Sequence, residues 1–169
     1  MSEQTAVERS AYLTFGIGDE LFALGVNNVR EVLDVEQITR IPRMPDFVRG
    51  VINLRGSLVP VVDLRKKLGM QGVQDTDNAC IIVVEVSIDG EAAVIGALAD
   101  SVQAVLDLAE IDIEPPPGIG PDQDTDHIYG MGKHDDHLMI ILDIDRIFSA
   151  RELFVVKRKD QIALRKMDS

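Results

Sequence analysis

The sequence contains two copies of one pattern, and this internal duplication constrains the fold more than any other feature. Residues 48–64 align without a gap on residues 128–144, and each copy carries a Gly, a turn-rich stretch, an apolar strand and an Asp. Further upstream, residues 29–38 align on residues 102–111. A repeat of this length predicts two similar lobes rather than a solenoid of many short units.

A hairpin is predicted before each of these copies, because apolar residues alternate on both sides of a tight turn. Residues 13–26 alternate around a turn at 18–20, and residues 82–96 alternate around Asp89-Gly90. An Asp-Gly pair favours a hairpin because both positions tolerate positive φ. Each copy should therefore form about five short strands, and sheets of that size usually close into barrels, which removes their edges.

The predicted architecture is a mainly β fold with two barrel-like lobes packed face to face and short helical turns. We expect a single domain at 12–150, with one lobe at about 12–74 and the other at about 75–150. The polar residues 1–11 should form a flexible N-terminus. Apolar residues in 151–169 are spaced more like a helix than a strand, which favours a C-terminal helix or a frayed tail.

Composition excludes several classes of function. The net charge of -12 would repel nucleic acid. No apolar segment approaches the ~20 residues of a membrane helix, and the first ten residues carry no signal-peptide core. The one cysteine, Cys80, lies in an apolar run, which predicts an inert buried thiol and a reducing compartment. These features predict a cytoplasmic protein without direct membrane insertion.

The charges are unevenly distributed along the chain. Residues 107–126 contain seven carboxylates and no Lys or Arg, whereas residues 40–67 contain seven basic residues and two acidic ones. Most of these charges should simply be solvated. The alternative interpretation is that they form docking surfaces that steer protein partners.

Motifs of catalysis are mostly missing from the sequence. It contains no nucleophile elbow, phosphate-binding loop or dinucleotide fingerprint, so we expect no cofactor. Asp63 and Asp143 follow equivalent strands and are predicted to cap the helical turns 64–68 and 144–148. A metal-dependent enzyme remains as an alternative, with ligands from the three histidines, which are His127, His134 and His137.

The segment from residue 40 to residue 65 reads RIPRMPDFVRGVINLRGSLVPVVDLR and resembles the signature stretch of the chemotaxis coupling proteins, the CheW family. Residues 12–24, 29–32 and 130–143 also resemble this family. The resemblance extends from about Tyr12 to Phe148, and it is far more specific than a short catalytic motif.

This resemblance implies two five-stranded SH3-like barrels without enzymatic activity. Members of the family connect the cytoplasmic tip of chemoreceptors to the regulatory domain of the histidine kinase CheA. We therefore expect a cytoplasmic adaptor associated with receptor arrays at the inner face of the membrane. A coupling protein of a related pathway, with twitching or a non-motility output, is the alternative within the same class.

The resemblance also implies which residues contact partners. The receptor groove between the lobes would be lined by Val26, Val29, Glu31, Val32, Gly96 and Val102. Arg55 matches a position tied to receptor and kinase coupling, and Gly50 and Val105 match positions near partner surfaces. By residue type alone, we expect core positions for Val26, Val32, Val102 and Val105. Arg55 is the strongest candidate, because a guanidinium at a hairpin tip cannot serve a core and suits a partner's carboxylates.

Overall fold

The computed structural model describes residues 8–35, 37–70, 79–88, 90–116 and 126–148. Two short α-helical turns, two 3-10 turns and ten strands form in this part of the chain. The strands are β1 (Arg9–Ile17), β2 (Glu20–Gly25), β3 (Val29–Asp34), β4 (Val48–Leu54), β5 (Ser57–Asp63), β6 (Cys80–Ile88), β7 (Glu91–Ala99), β8 (Ser101–Ala109), β9 (Ile128–His134) and β10 (His137–Leu142). The helical turns are α1 (Leu64–Lys67) and α2 (Ile144–Ile147), and the 3-10 turns are Val26–Asn28 and Glu110–Asp112.

The strands form two five-stranded sheets, which confirms the prediction of a mainly β fold with two five-stranded barrels. The first barrel has the strand order β8-β1-β2-β10-β9, and the second has the order β3-β6-β7-β5-β4. Both predicted hairpins are present, β1–β2 and β6–β7. The helix or tail predicted at 151–169 lies outside the described residues, as do residues 1–7. Residues 9–11, predicted to be flexible, form the start of β1.

The predicted division into lobes at about 12–74 and 75–150 is wrong, because the two copies exchange their hairpins. The hairpin β1–β2 completes a sheet with β8, β9 and β10, and the hairpin β6–β7 completes one with β3, β4 and β5. The pairs β2–β10 and β5–β7 are parallel, and parallel neighbours need a crossover connection rather than a tight turn. The sequence repeat cannot distinguish a hairpin that pairs with strands of its own copy from one that pairs with strands of the other copy.

Each sheet closes on itself through the segment that follows its edge strand. In the second barrel, the backbone of Thr39 exchanges hydrogen bonds of 2.9 and 2.8 Å with Val51 of β4. In the first barrel, Glu114 exchanges hydrogen bonds of 2.9 and 2.7 Å with Met131 of β9. These equivalent bridges satisfy backbone groups that an open sheet edge would expose.

Two glycines at equivalent positions make this closure possible. Gly50 has a φ of 146°, and a side chain there would collide with the carbonyl of Thr39. A side chain at Gly130 would collide with Ile113 and would lie 2.8 Å from the carbonyl oxygen of Glu114. The Gly in the aligned pattern therefore marks the place where the barrel closes.

The largest apolar cluster lies between the barrels, and each barrel has a smaller interior cluster of its own. In β6, Ile82 and Val84 belong to the layer between the barrels, whereas Ile81 and Val83 belong to the interior of the second barrel. A strand that is buried on both faces reads as a continuous apolar run, which explains the sequence around Cys80. Burial raises the pKa of the Cys80 thiol.

The two predicted caps have different outcomes. Asp63 caps α1, because its Oδ1 accepts a hydrogen bond of 3.0 Å from the backbone N–H of Arg65. The prediction for Asp143 is wrong, because its side chain makes no capping hydrogen bond with α2. Its Oδ2 instead lies 3.5 Å from the Nε atom of Arg146, so the carboxylate interacts with a side chain rather than with the helix backbone.

Polar contacts near the two helical turns connect one barrel to the other. Arg65 of α1 is almost fully buried and pairs with Asp100, whose Oδ2 also accepts a hydrogen bond of 2.6 Å from the backbone N–H of Gly18. At the equivalent position in α2, Asp145 accepts a hydrogen bond of 2.8 Å from the backbone N–H of Ser87 in β6. Asp100 therefore connects α1 to the β1–β2 hairpin of the first barrel, and α2 contacts the β6–β7 hairpin of the second barrel directly.

We expect Asp100→Ala to lower the free energy of unfolding by about 2–4 kcal/mol, because it leaves the buried Arg65 guanidinium without this carboxylate. Asp107→Ala is the matched control, since Asp107 pairs with Arg9 on the surface, and it should cost less than about 1 kcal/mol. Urea denaturation followed by circular dichroism measures both values. Equal losses in the two variants would contradict a role for Asp100 in joining the barrels.

A second prediction concerns the turn between β9 and β10, where Asp135 and Asp136 have φ values of 50° and 67°. At the equivalent turn in the second barrel, Gly56 occupies the second position with a φ of 88°. We expect Asp136→Gly to stabilise the protein by about 0.5 kcal/mol, since Gly adopts positive φ without steric cost. Gly56→Asp should be destabilising, and a lower urea midpoint for Asp136→Gly would show that turn strain is not the relevant factor.

Candidate functional site

Arg55 lies at the tip of the hairpin formed by β4 and β5. Its backbone has a φ of 51°, and Gly56 follows with a φ of 88°, which is the conformation of a tight two-residue turn. The side chain of Asn53 accepts a hydrogen bond of 2.9 Å from the backbone N–H of Gly56. The turn therefore holds the Arg55 side chain at a defined place on the surface.

Arg55 forms an ion pair with Glu31 of β3, so the structure brings together the two charged residues of the predicted site. Two guanidinium nitrogens donate to the two carboxylate oxygens; Nη2 bonds Oε2, and Nη1 lies 3.4 Å from Oε1. This hydrogen bonding raises the pKa of Arg55. The Arg55 side chain is 72% exposed and that of Glu31 is 27% exposed, so the guanidinium remains accessible to a partner.

An open groove of about 420 Å³ lies beside this pair at the mouth of the second barrel. Arg30, which precedes Glu31 on β3, also lines the groove and pairs with Glu85 of β6. Apolar residues from β5, β6 and β7 complete the wall, among them Val59, Val83 and Ile95. The groove thus combines an apolar lining with a charged rim, an arrangement that suits protein recognition.

The predicted valines occupy two equivalent pairs of positions on the edge strands β3 and β8. Val29 and Val102 are half-buried and pack against the core between the barrels. Val32 and Val105 are 42% and 61% exposed. The core positions expected from their residue type are therefore wrong for Val32 and Val105, because both side chains point away from the barrels on edge strands.

The remaining predicted residues are placed differently. Val26 is half-buried in the 3-10 turn between β2 and β3, where it lines a separate depression of about 520 Å³ together with Tyr129. Gly96 is buried, and a side chain there would lie 2.7 Å from the Cγ2 atom of Ile81. Gly50 is buried at the closure of the second barrel. Both glycines have packing roles, and neither joins the exposed surface around Arg55.

The three histidines do not form one site. His134 and His137 face each other across the β9–β10 hairpin, but His127 precedes the other end of β9, roughly 20 Å away at ~3.3 Å per residue. In the ranges that the structure describes, no three His, Cys, Asp or Glu side chains are grouped so that they could hold a metal ion. Among the described residues, the structure therefore shows no cluster of ligands of the kind that the metal-dependent enzyme would need.

Sequence reasoning missed three exposed apolar or aromatic side chains of the first barrel. Tyr129 is 46% exposed and donates a hydrogen bond to Glu110, which raises the pKa of Tyr129 to about 12. Leu138 and Ile111 are 60% and 82% exposed. The exposure of Leu138 could not have been predicted from the sequence, because Leu138 lies in an apolar run typical of a buried strand. Its equivalent in the second barrel, Leu58, is less exposed.

Among the described residues, no helix is long and apolar enough to cross a bilayer.

Comparison with known proteins agrees with this architecture. The crystal structure of the scaffolding protein TtCheW from Thermoanaerobacter tengcongensis has a TM-score of 0.74 and 34% sequence identity, and the match covers 86% of this chain and 96% of that one. The chemotaxis protein CheW of Klebsiella aerogenes is 34% identical over 145 residues, or 86% of this chain and 85% of that protein.

The chemotaxis protein CheW of Thermotoga maritima is 35% identical over 142 residues, or 84% of this chain and 89% of that protein. The sequence model of the CheW-like domain family matches residues 11–152, which includes both barrels and the Arg55–Glu31 pair. The chain belongs to the CheW-like domain family.

Proposed function

We propose that this protein is a non-catalytic adaptor that couples chemoreceptors to the histidine kinase CheA at the cytoplasmic face of the membrane. The observation that carries this proposal is the exposed Arg55–Glu31 pair beside an open groove, in a chain of the CheW-like domain family. The pair is positioned by a rigid turn and presents guanidinium N–H groups to solvent. Such a group recognises carboxylates on a partner protein.

An adaptor needs two separate contact surfaces, and the exchanged duplication offers two candidate surfaces at equivalent positions. The exposed Val32 lies on the edge strand of the second barrel, and the exposed Val105 lies at the equivalent position in the first barrel. The Arg55–Glu31 pair and its groove add a third feature on the second barrel. A receptor helix and a kinase domain could therefore bind at the same time without competing for one surface.

The mechanism is binding without chemistry. Apolar contacts supply affinity, and charged residues at the rim supply orientation and partner choice. By tethering receptor and kinase, the adaptor raises their effective concentration and biases the kinase between its on and off states. The receptor tip and the regulatory domain of CheA are the partners of this proposal.

We expect Arg55→Glu to weaken kinase activation in a reconstituted assay of receptor, kinase and adaptor, by about tenfold or more in adaptor affinity. The reason is that the substitution turns an exposed donor into a carboxylate beside Glu31. The fold should remain intact, because the Arg55 side chain makes its contacts on the surface. Circular dichroism and the urea midpoint serve as controls. Full activation by a folded Arg55→Glu variant would defeat the assignment.

A charge-swapped variant separates two roles for the ion pair. Combining Glu31→Arg with Arg55→Glu restores an internal pair but leaves a carboxylate where a partner meets Arg55. We expect the double variant to stay defective if Arg55 contacts the partner directly. Recovery of activation would instead assign the pair a purely internal role. A pull-down from native lysate, read by mass spectrometry for a chemoreceptor and a histidine kinase, tests the identity of the partners independently.

A further inference from the structure

The mouth of the first barrel forms a groove that the proposed coupling function does not use. It has a volume of about 350 Å³, and its apolar lining comes from Leu108, Ile113, Met131 and Leu138. Two carboxylates, Asp112 and Glu114, and one amine, Lys133, also line it. Beside it, Ile111 is 82% exposed. An apolar groove with an acidic rim suits an extended or helical segment that carries both apolar and basic side chains.

The carboxylates at this rim are available to a ligand. Asp112 and Glu114 are exposed, and within the described ranges neither makes an ion pair. By contrast, Asp107 of the neighbouring β8 pairs with Arg9. Leu138 is 60% exposed, because it lies on the face of β10 opposite the buried Met139 and Ile141. Among the described residues, the groove therefore has an uncovered apolar side chain and two carboxylates against the single amine of Lys133.

The chain itself carries a segment of complementary composition. Residues 153–156 read Leu-Phe-Val-Val, and residues 157–159 read Lys-Arg-Lys. The apolar run matches the lining of the groove in polarity, and the three consecutive cations match its acidic rim. The whole chain has a net charge of -12, so a run of three cations is attracted to its acidic surfaces.

The connection is long enough for this segment to reach the groove. The described chain ends at Phe148, and eleven further residues lead to residue 159, which at ~3.3 Å each can span up to about 36 Å. From Leu138 in the groove, the chain runs about 13 Å along β10 to Leu142 and then through α2 to Phe148, so the path from the groove to Phe148 is at most about 28 Å. The intramolecular link also gives the contact a high effective concentration, which favours it over capture of a free ligand.

We propose that residues 153–159 bind across the mouth of the first barrel of the same molecule. In this arrangement residues 153–156 cover Leu138 and the apolar lining, and the cations of residues 157–159 pair with Asp112 and Glu114. This contact covers the groove around Leu138, while the exposed Val105 of the first barrel and the groove beside Arg55 stay open to partners. The inference does not depend on the coupling function.

A zero-length carbodiimide cross-link between carboxylates and amines tests this contact in the full chain. An equimolar mixture of unlabelled and nitrogen-15-labelled protein is cross-linked, the monomer is isolated, and the linked peptides are identified by mass spectrometry. We expect links from Lys157 or Lys159 to Asp112 or Glu114 within single chains. Raising the salt concentration should lower their yield, because exposed ion pairs are screened.

Leu138→Ser provides the decisive variant, because it removes the apolar contact and leaves every reactive carboxylate and amine in place. We expect it to lower the yield of these links by about threefold to tenfold, as loss of one exposed leucine contact implies. Val32→Ser is the matched control, since Val32 is an exposed apolar residue on the second barrel, and it should leave the yield unchanged.

Four results would overturn the proposal. Links that join only a labelled to an unlabelled chain would assign the segment to a second copy. Links spread equally over other exposed carboxylates, such as Glu91 on the second barrel, would show charge attraction without a site. A yield that Leu138→Ser does not change, or no links at all, would show that the groove does not bind the segment.

Discussion

The apolar layer between the two barrels is the contact on which the remaining structure depends. It is built from strands that are buried on both faces: β1 turns Leu13 and Phe15 toward the layer and Tyr12 into the first barrel. Because a shift of one residue would exchange the two faces, the layer fixes the register of every strand that pairs with β1 and β6. The buried Thr14 has no unsatisfied hydroxyl, since it bonds the backbone of Ala104 in both directions at 3.0 Å.

Hairpin exchange makes the two barrels one mechanical unit. Neither barrel can be completed by one copy alone, because each takes two strands from one copy and three from the other. The polar contacts of Arg65 with Asp100 and of Asp145 with Ser87 then link each helical turn to a hairpin of the opposite barrel. The edge strands β3 and β8, which carry the exposed valines, are therefore held at a fixed distance. A rigid spacing of this kind is what a protein needs to position two partners relative to each other.

Much of the fold could be predicted from the sequence, because local patterns are sufficient for it. The repeat predicts the equivalent strands, and alternation predicts both hairpins. Pairing between distant strands could not be predicted, since both copies offer equally apolar partners. The faces of β3 were also ambiguous: Val29 and Glu31 point inward and Arg30 and Val32 outward, so each face carries one charge and one valine. The orientation of β3 depends on its pairing with the neighbouring strand β6, where Glu85 lies in position to form an ion pair with Arg30.

Comparison of the two copies within the chain separates the residues that the fold requires from those that it leaves free. Gly50 and Gly130 occupy equivalent positions and both permit barrel closure. At the position equivalent to Arg55, however, the first barrel carries Asp135 in the same left-handed conformation, and Ala104 replaces Glu31. The backbone forms the same turn without the ion pair, so the barrel does not need Arg55 and Glu31 in order to fold. Their presence in one copy alone supports the proposal that they contact another molecule.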